Sequence, residues 1–241
     1  MTVKTVKAKN LPKRSVAKNQ RNLYLIAGII GAVMVVAMAI ILMSNNSTVA
    51  GNLQKFANIP QSRGSDGAFL LGNPEAPIKF IEFVDYSCSV CLTFKPDVDR
   101  FIDQYVATGK AQYEFRALET HGGETTGYAM QLAECAEAQR KGGFWEASEV
   151  LFEYGATGTS SYNGNMGFPL ADRLSLDKSA LLTCVRTATQ IDTDMAYANK
   201  LKVNSTPTVL VQYHNSQLLP LPGERNFNTL AQLTEAAQAA Q

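Results

Sequence analysis

The sequence predicts an α/β domain built on a parallel strand–helix–strand unit and interrupted by inserted helices, carried behind one N-terminal transmembrane helix. Three observations lead there. Leu23 to Met43 is a run of 21 residues without a charge. Phe80-Ile81-Glu82-Phe83-Val84-Asp85 is an apolar, aromatic-rich strand pattern, after which Phe94, Val98, Phe101, Ile102 and Tyr105 recur at helical spacing. Helical patterns then fill about 120–203 before strand character returns at Thr208.

The chain has 241 residues, 46% of them hydrophobic, with a net charge of +1, so bulk charge selects no partner class. Its distribution is more telling. Residues 1–22 carry Lys4, Lys7, Lys9, Lys13, Arg14, Lys18 and Arg21, and the first acid of the chain is Asp66. A basic tail can serve nucleic acid, but this one abuts the apolar run and reads as a cytoplasmic topogenic signal, with no nucleic-acid partner expected. Residues 23–43 are long enough to cross a hydrocarbon core of ~30 Å at about 1.5 Å per residue, so they are expected to sit in the lipid bilayer and send the rest outward. The alternative is a cleaved signal peptide, whose apolar core would be shorter, about 7–15 residues; Thr48-Val49-Ala50 is a poor cleavage site. Residues 44–68 are polar and turn-rich and read as a tether, with a short helix near Leu53–Ala57.

From residue 69 to 241 the reading is a single outward domain. The strand ending at Asp85 runs into Ser87-Cys88-Ser89-Val90-Cys91, where Ser87 is the expected N-cap and two thiols fall in the first turn of the helix. Unpaired N–H groups and the helix dipole there favour a thiolate at Cys88, the form that attacks disulfides. Cys91, one turn on, is placed to resolve the mixed disulfide. Asp85 reads as a solvated charge at the strand end. Gly109 is a plausible helix stop, Ala111–Leu118 alternates as the next strand, and the crossover makes the pair parallel. Helices are expected over Thr125–Arg140, Phe144–Tyr154 and, as two pieces, Asp177–Leu201; Gly155–Pro169 reads as a surface loop. Phe144, Trp145, Leu151 and Phe152 read as core. Thr208–Tyr213 and Leu218–Leu221 form a hairpin, and Asn228–Ala240 closes the chain as a helix.

A C-x-x-C alone is also half a zinc site. Here it stands with Glu82 inside the apolar strand, Pro96 inside the helix, Ser205-Thr206-Pro207-Thr208 opening a later strand, and the lead-in Gly72-Asn73-Pro74-Glu75-Ala76-Pro77. The combination resembles the thioredoxin superfamily and, within it, the DsbA-like thiol–disulfide oxidoreductases, over about residues 69–241. The resemblance implies a thioredoxin-like fold with a helical insertion at about 120–203. It also implies Cys88 as exchange cysteine, Cys91 as its partner, Glu82 as a buried acid beneath them, and Pro207 as a cis-proline presenting the backbone of Thr206 to a client. Ser89-Val90 departs from the Pro-His common in strong oxidases of the family, and Thr206 from the valine of some.

Four cysteines allow three pairings. If Cys88–Cys91 is the redox pair, the other bridge is Cys135–Cys184, which resembles a helix-to-helix bridge found in part of the family; two buried free thiols or a second redox pair are the alternatives. The function expected is a membrane-anchored extracytoplasmic oxidase that gives disulfides to reduced secreted or membrane proteins and is re-oxidised, as the resemblance implies, by a membrane quinone-linked partner. No cofactor is expected. A reductase or isomerase, for instance in cytochrome maturation, is the second reading. A C-x-x-C metal-binding module is the third, and His121 and His214 lie in no ligand spacing with the cysteines. A non-catalytic assembly subunit is the fourth.

Overall fold

The computed structural model describes residues 29–36, 38, 55–158, 161–214 and 216–240. The chain divides into two units, 1–51 and 52–241. The expected basic tail 1–22 lies outside the described residues. Of the expected anchor 23–43, residues 29–36 and 38 are helical, with Ile29, Val33 and Val36 among the exposed side chains. Among the described residues no helix is long and apolar enough to cross a membrane.

The second unit is a sheet of six strands: β1 (Gln61–Arg63), β2 (Phe69–Gly72), β3 (Ile78–Val84), β4 (Gln112–Ala117), β5 (Thr208–Tyr213) and β6 (Leu219–Pro220). They lie in the order β1-β2-β4-β3-β5-β6. β3 and β4 are parallel, as their crossover helix requires, and every other neighbouring pair is antiparallel. The helices are α1 (Ser89–Phe101), α2 (Glu124–Gln139), α3 (Gly143–Thr157), α4 (Gly167–Leu174), α5 (Lys178–Val185), α6 (Gln190–Leu201) and α7 (Phe227–Ala239). α1 runs on into one π-helical segment, Ile102–Val106, and Gly109, at φ 78°, turns the chain out of it. Asp177 caps α5 and Asn226 caps α7, each accepting a backbone N–H from three residues on.

β3 is buried along both faces, because helices cover each side of the sheet. Ile78, Phe80 and Val84 enter the main core with α1 and α3, whereas Ile81 and Phe83 face a smaller core that includes Ala198 of α6. Phe144 stacks on Phe69 at 3.5 Å and meets Phe115 edge-on at 5.3 Å, so the start of α3 is keyed into β2 and β4. Arg116, buried in β4, reaches Glu114, Asp66 and Asp194 and so ties α6 to the sheet. Cys135 on α2 and Cys184 on α5 are joined, with Cα atoms 5.8 Å apart, so a bridge staples two of the inserted helices.

Three expectations need correction. The stretch 44–68 does not stay a tether to its end: residues 55–58 form a turn rather than a helix, Phe56 and Ile59 are buried, and β1 pairs with β2. These short elements show no period of their own. Gly155–Pro169 is not one loop, since α3 continues to Thr157 and α4 begins at Gly167. Pro169 is the third residue of α4, where no intrahelical N–H bond is due. Ser87 is not the N-cap: Cys88 holds that position without a side-chain cap, and the Ser87 hydroxyl turns to Asp85.

Candidate active site

The end of β3 and the start of α1 place the two cysteines. Cys88 and Cys91 are both free and buried, while Val90 between them is 48% exposed. The first turn of α1 holds no acid to oppose a thiolate. Opposite lies the loop before β5, whose Thr206–Pro207 peptide is cis. The Cys88 thiol donates to the Thr206 carbonyl at 3.4 Å. Burial works against the charged form of Cys88; Thr206 and the backbone N–H groups of Cys91 and Val90 work for it, and they hold the thiol below its ordinary range. Cys91 goes the other way. Burial drives its thiol well up, reinforced by the charges of Glu82 and Cys88, although an N–H of Asp85 opposes. One thiol of the pair is thus the easily ionised one and its partner holds its proton.

Glu82 points from β3 into the main core, 4% exposed, and accepts from the Tyr113 hydroxyl at 2.6 Å. Burial raises it to about 7 against the pull of Tyr113 and of Lys95. Glu82 and Cys91 both line a cavity of about 20 Å³, bordered also by Lys95, Tyr113, Trp145 and Phe152. That is room for about one water. Lys95 and Lys55 each bridge Asp99 and Glu149, at 2.5–3.1 Å, in a ring of alternating charge, three of whose members border the cavity.

A titration follows. With its folded value above the unfolded one, Glu82 contributes stability that is complete below about 4.5 and lost as pH rises through about 7. The loss is about 3 kcal/mol over that interval. Glu82→Gln keeps an acceptor for Tyr113 and cannot ionise, so its stability should decline less steeply than the native chain's over that interval, Asp194, raised by burial to about 6, accounting for part of the decline that remains. Urea midpoints of both proteins across the interval test this, and parallel pH profiles would remove Glu82 as the titrating group.

Asp85 is the functional residue that sequence reasoning missed. Far from being solvated, it is fully buried. Oδ1 accepts from the Ser87 N–H, the Ser87 hydroxyl and the Thr126 hydroxyl. Oδ2 accepts from the Thr120 N–H, the Thr120 hydroxyl and the Gly122 N–H. Burial pushes it up, but these donors, Gly122 first, hold it below the ordinary carboxylate range. The Thr120 hydroxyl in turn lies 2.7 Å from that of Thr206, so one carboxylate links the cysteine turn to the cis-proline loop. Gly122 has a packing reason: a Cβ there would strike the Thr126 and Ser87 hydroxyls. A Cβ at Gly155 would likewise strike the Tyr86 carbonyl, so α3 rests backbone to backbone on the active-site turn. Among the described residues no His, Cys, Asp and Glu group is arranged to hold a metal.

The family model described as Thioredoxin matches residues 65–220. A curated relative, disulfide bond formation protein D of Bacillus subtilis, is 27% identical over 179 residues, covering 69% of this chain and 76% of its own. Among solved structures, a thioredoxin-like oxidoreductase from Silicibacter pomeroyi is 26% identical with TM-score 0.58, covering 74% of this chain and 95% of its own. Wolbachia pipientis alpha-DsbA1 is 21% identical with TM-score 0.62, covering 74% of this chain and 96% of its own. The chain belongs to the thioredoxin family, and its paired cysteines are those of a thiol–disulfide oxidoreductase.

Proposed function

We propose that the protein is a membrane-anchored, extracytoplasmic disulfide donor that oxidises reduced client proteins through Cys88 and Cys91. The observation that supports the direction is the Cys88 thiol held low, because a reduced form stabilised as thiolate favours handing the disulfide on. In the oxidised protein a client thiolate attacks the Cys88 sulfur, the Cys88–Cys91 bond breaks, and Cys91 leaves with the electron pair. Cys91 needs a proton at that moment, and Glu82, neutral below about 7, supplies it across the one-water cavity. A second client thiolate then attacks the client sulfur of the mixed disulfide and releases Cys88, whose low value makes it a good leaving group. The client gains a disulfide and the enzyme keeps both electrons. A membrane quinone-linked partner is the proposed acceptor of those electrons. The lysine- and arginine-bearing tail and the uncharged 23–43 run support the anchored, outward-facing arrangement.

The test is the reduction potential of the full chain in detergent, equilibrated against glutathione and read by alkylation at Cys88 and Cys91. A disulfide donor should lie toward about −120 mV, and a value near about −270 mV would replace the donor reading with the reductase one.

A further inference from the structure

Phe56 stands between two spaces. One is the cavity of about 20 Å³ that Glu82 and Cys91 line. The other is a hollow of about 250 Å³ whose edge carries the polar side chains of Gln61, Lys141 and Glu146. Ala57, Pro60 and Lys141 around that hollow are exposed, so bulk water reaches it. Among the described residues Phe56 alone borders both spaces, and it is only 3% exposed.

Its surroundings hold the ring in place. The ring centroid lies 5.7 Å from that of Trp145, on the cavity wall. Lys55 Nζ sits 4.6 Å over the Phe56 ring while it bridges Asp99 of α1 and Glu149 of α3. The Phe56 carbonyl accepts from the Gln61 side chain at 2.9 Å and from the Ile59 N–H at 3.1 Å. Lys55 and Phe56 both precede residues 65–220, which the family model matches, so this wall is completed from outside the matched fold.

Water beside a carboxylate stabilises its charge, and an apolar ring in the way withholds that water. We propose that Phe56 is a positioning residue for Glu82, its ring the partition that keeps the water of the outer hollow from the carboxyl. The titratable groups that face Glu82 are Tyr113 of β4, Cys91, Lys95 and Asp99 of α1, and Glu149 of α3 on the same cavity, with Lys55 beyond. Removing an uncharged ring alters none of them, so a moved titration reports the water.

The experiment titrates Glu82 in the reduced full chain in detergent, by the infrared carbonyl band of its protonated carboxyl, which Glu82→Gln identifies by removing it. Phe56→Ala should lower the midpoint from about 7 by about one pH unit, a tenfold gain in the ionised ratio. Phe56→Leu is still an apolar plug and should keep the native midpoint. Trp145, the one tryptophan of the chain, is 4% exposed on the same wall and reports the opening. Acrylamide should quench its fluorescence more in Phe56→Ala than in the native chain or in Phe56→Leu. A purely structural role for Phe56 would lower the urea midpoint of Phe56→Ala and leave the Glu82 midpoint unmoved. That result overturns the proposal, as does a Phe56→Leu variant that shifts Glu82 as far as Phe56→Ala does. Should Phe56→Ala fail to fold, Phe56→Val opens the same wall by fewer atoms and is read by the same criteria. The consequence for exchange rests on Glu82 as the proton source for Cys91. With a reduced dithiol peptide as client, the ratio of the Phe56→Ala rate to the native rate should then fall as pH rises through the lowered midpoint. A lowered Glu82 midpoint with an unchanged rate ratio would overturn that proton assignment and leave the partition standing.

Discussion

A chain carrying Cys91→Ser, offered a disulfide-bonded peptide, is expected to stop with the peptide covalently joined to Cys88. Cys88 is the thiol that ionises, so it makes the first attack. In the native protein Cys91, one helical turn away, then attacks Cys88 and frees the peptide. Well-placed intramolecular groups act with effective concentrations of about 10⁵ M or more, far above any external thiol, so losing Cys91 should slow release by at least about a thousandfold. Donation of disulfides should cease altogether, because the variant cannot form the pair it would pass on. Non-reducing electrophoresis and mass analysis would show the adduct. Release at the native rate would mean that the resolving thiol is not Cys91. Cys88→Ser should show no adduct, since the remaining thiol is buried with its proton held.

Loss of the Cys135–Cys184 bridge is expected to cost about 4 kcal/mol of stability, as follows from the chain-entropy relation for its loop. The two cysteines are 49 residues apart and join α2 to α5. Cys135 is wholly buried in the main core, so a double alanine variant also leaves small voids there. The urea midpoint of Cys135→Ala/Cys184→Ala against that of the native chain measures the effect. Below the unfolding transition, exchange at Cys88 should continue, because neither residue touches the site. A loss under about 1 kcal/mol would show that packing alone holds the inserted helices together.

What could be read from the sequence was local. β3, α1 and the C-x-x-C spacing declare themselves within about two dozen consecutive residues, and the thiol chemistry follows from their order. Glu82 stood out because a carboxylate in an apolar strand is costly without a purpose. Asp85 gave no such signal. It sits where strands commonly end in a charge, and apart from Ser87 its donors lie 35–41 positions away, at Thr120, Gly122 and Thr126. Only the fold brings them round it. β1 and β2 were illegible for a related reason: three- and four-residue strands carry too little alternation, and it is pairing that defines them, β2 with β4 and β1 with β2. The start of α4 was hidden by Gly167 and Pro169, which read as loop residues when the helix that tolerates them is not yet known.

The charge ring beside Glu82 has a mechanical consequence. Lys55 and Phe56 belong to the first described residues of the second unit and come before its first strand. Lys55 holds Asp99 and Glu149, and Phe56 lies against Trp145 with its ring 5.7 Å away. A pull transmitted along the chain from the N-terminal side therefore loads these contacts before any strand of the sheet. The part of the domain loaded first under tension is the flank of the small cavity that Glu82 and Cys91 both line.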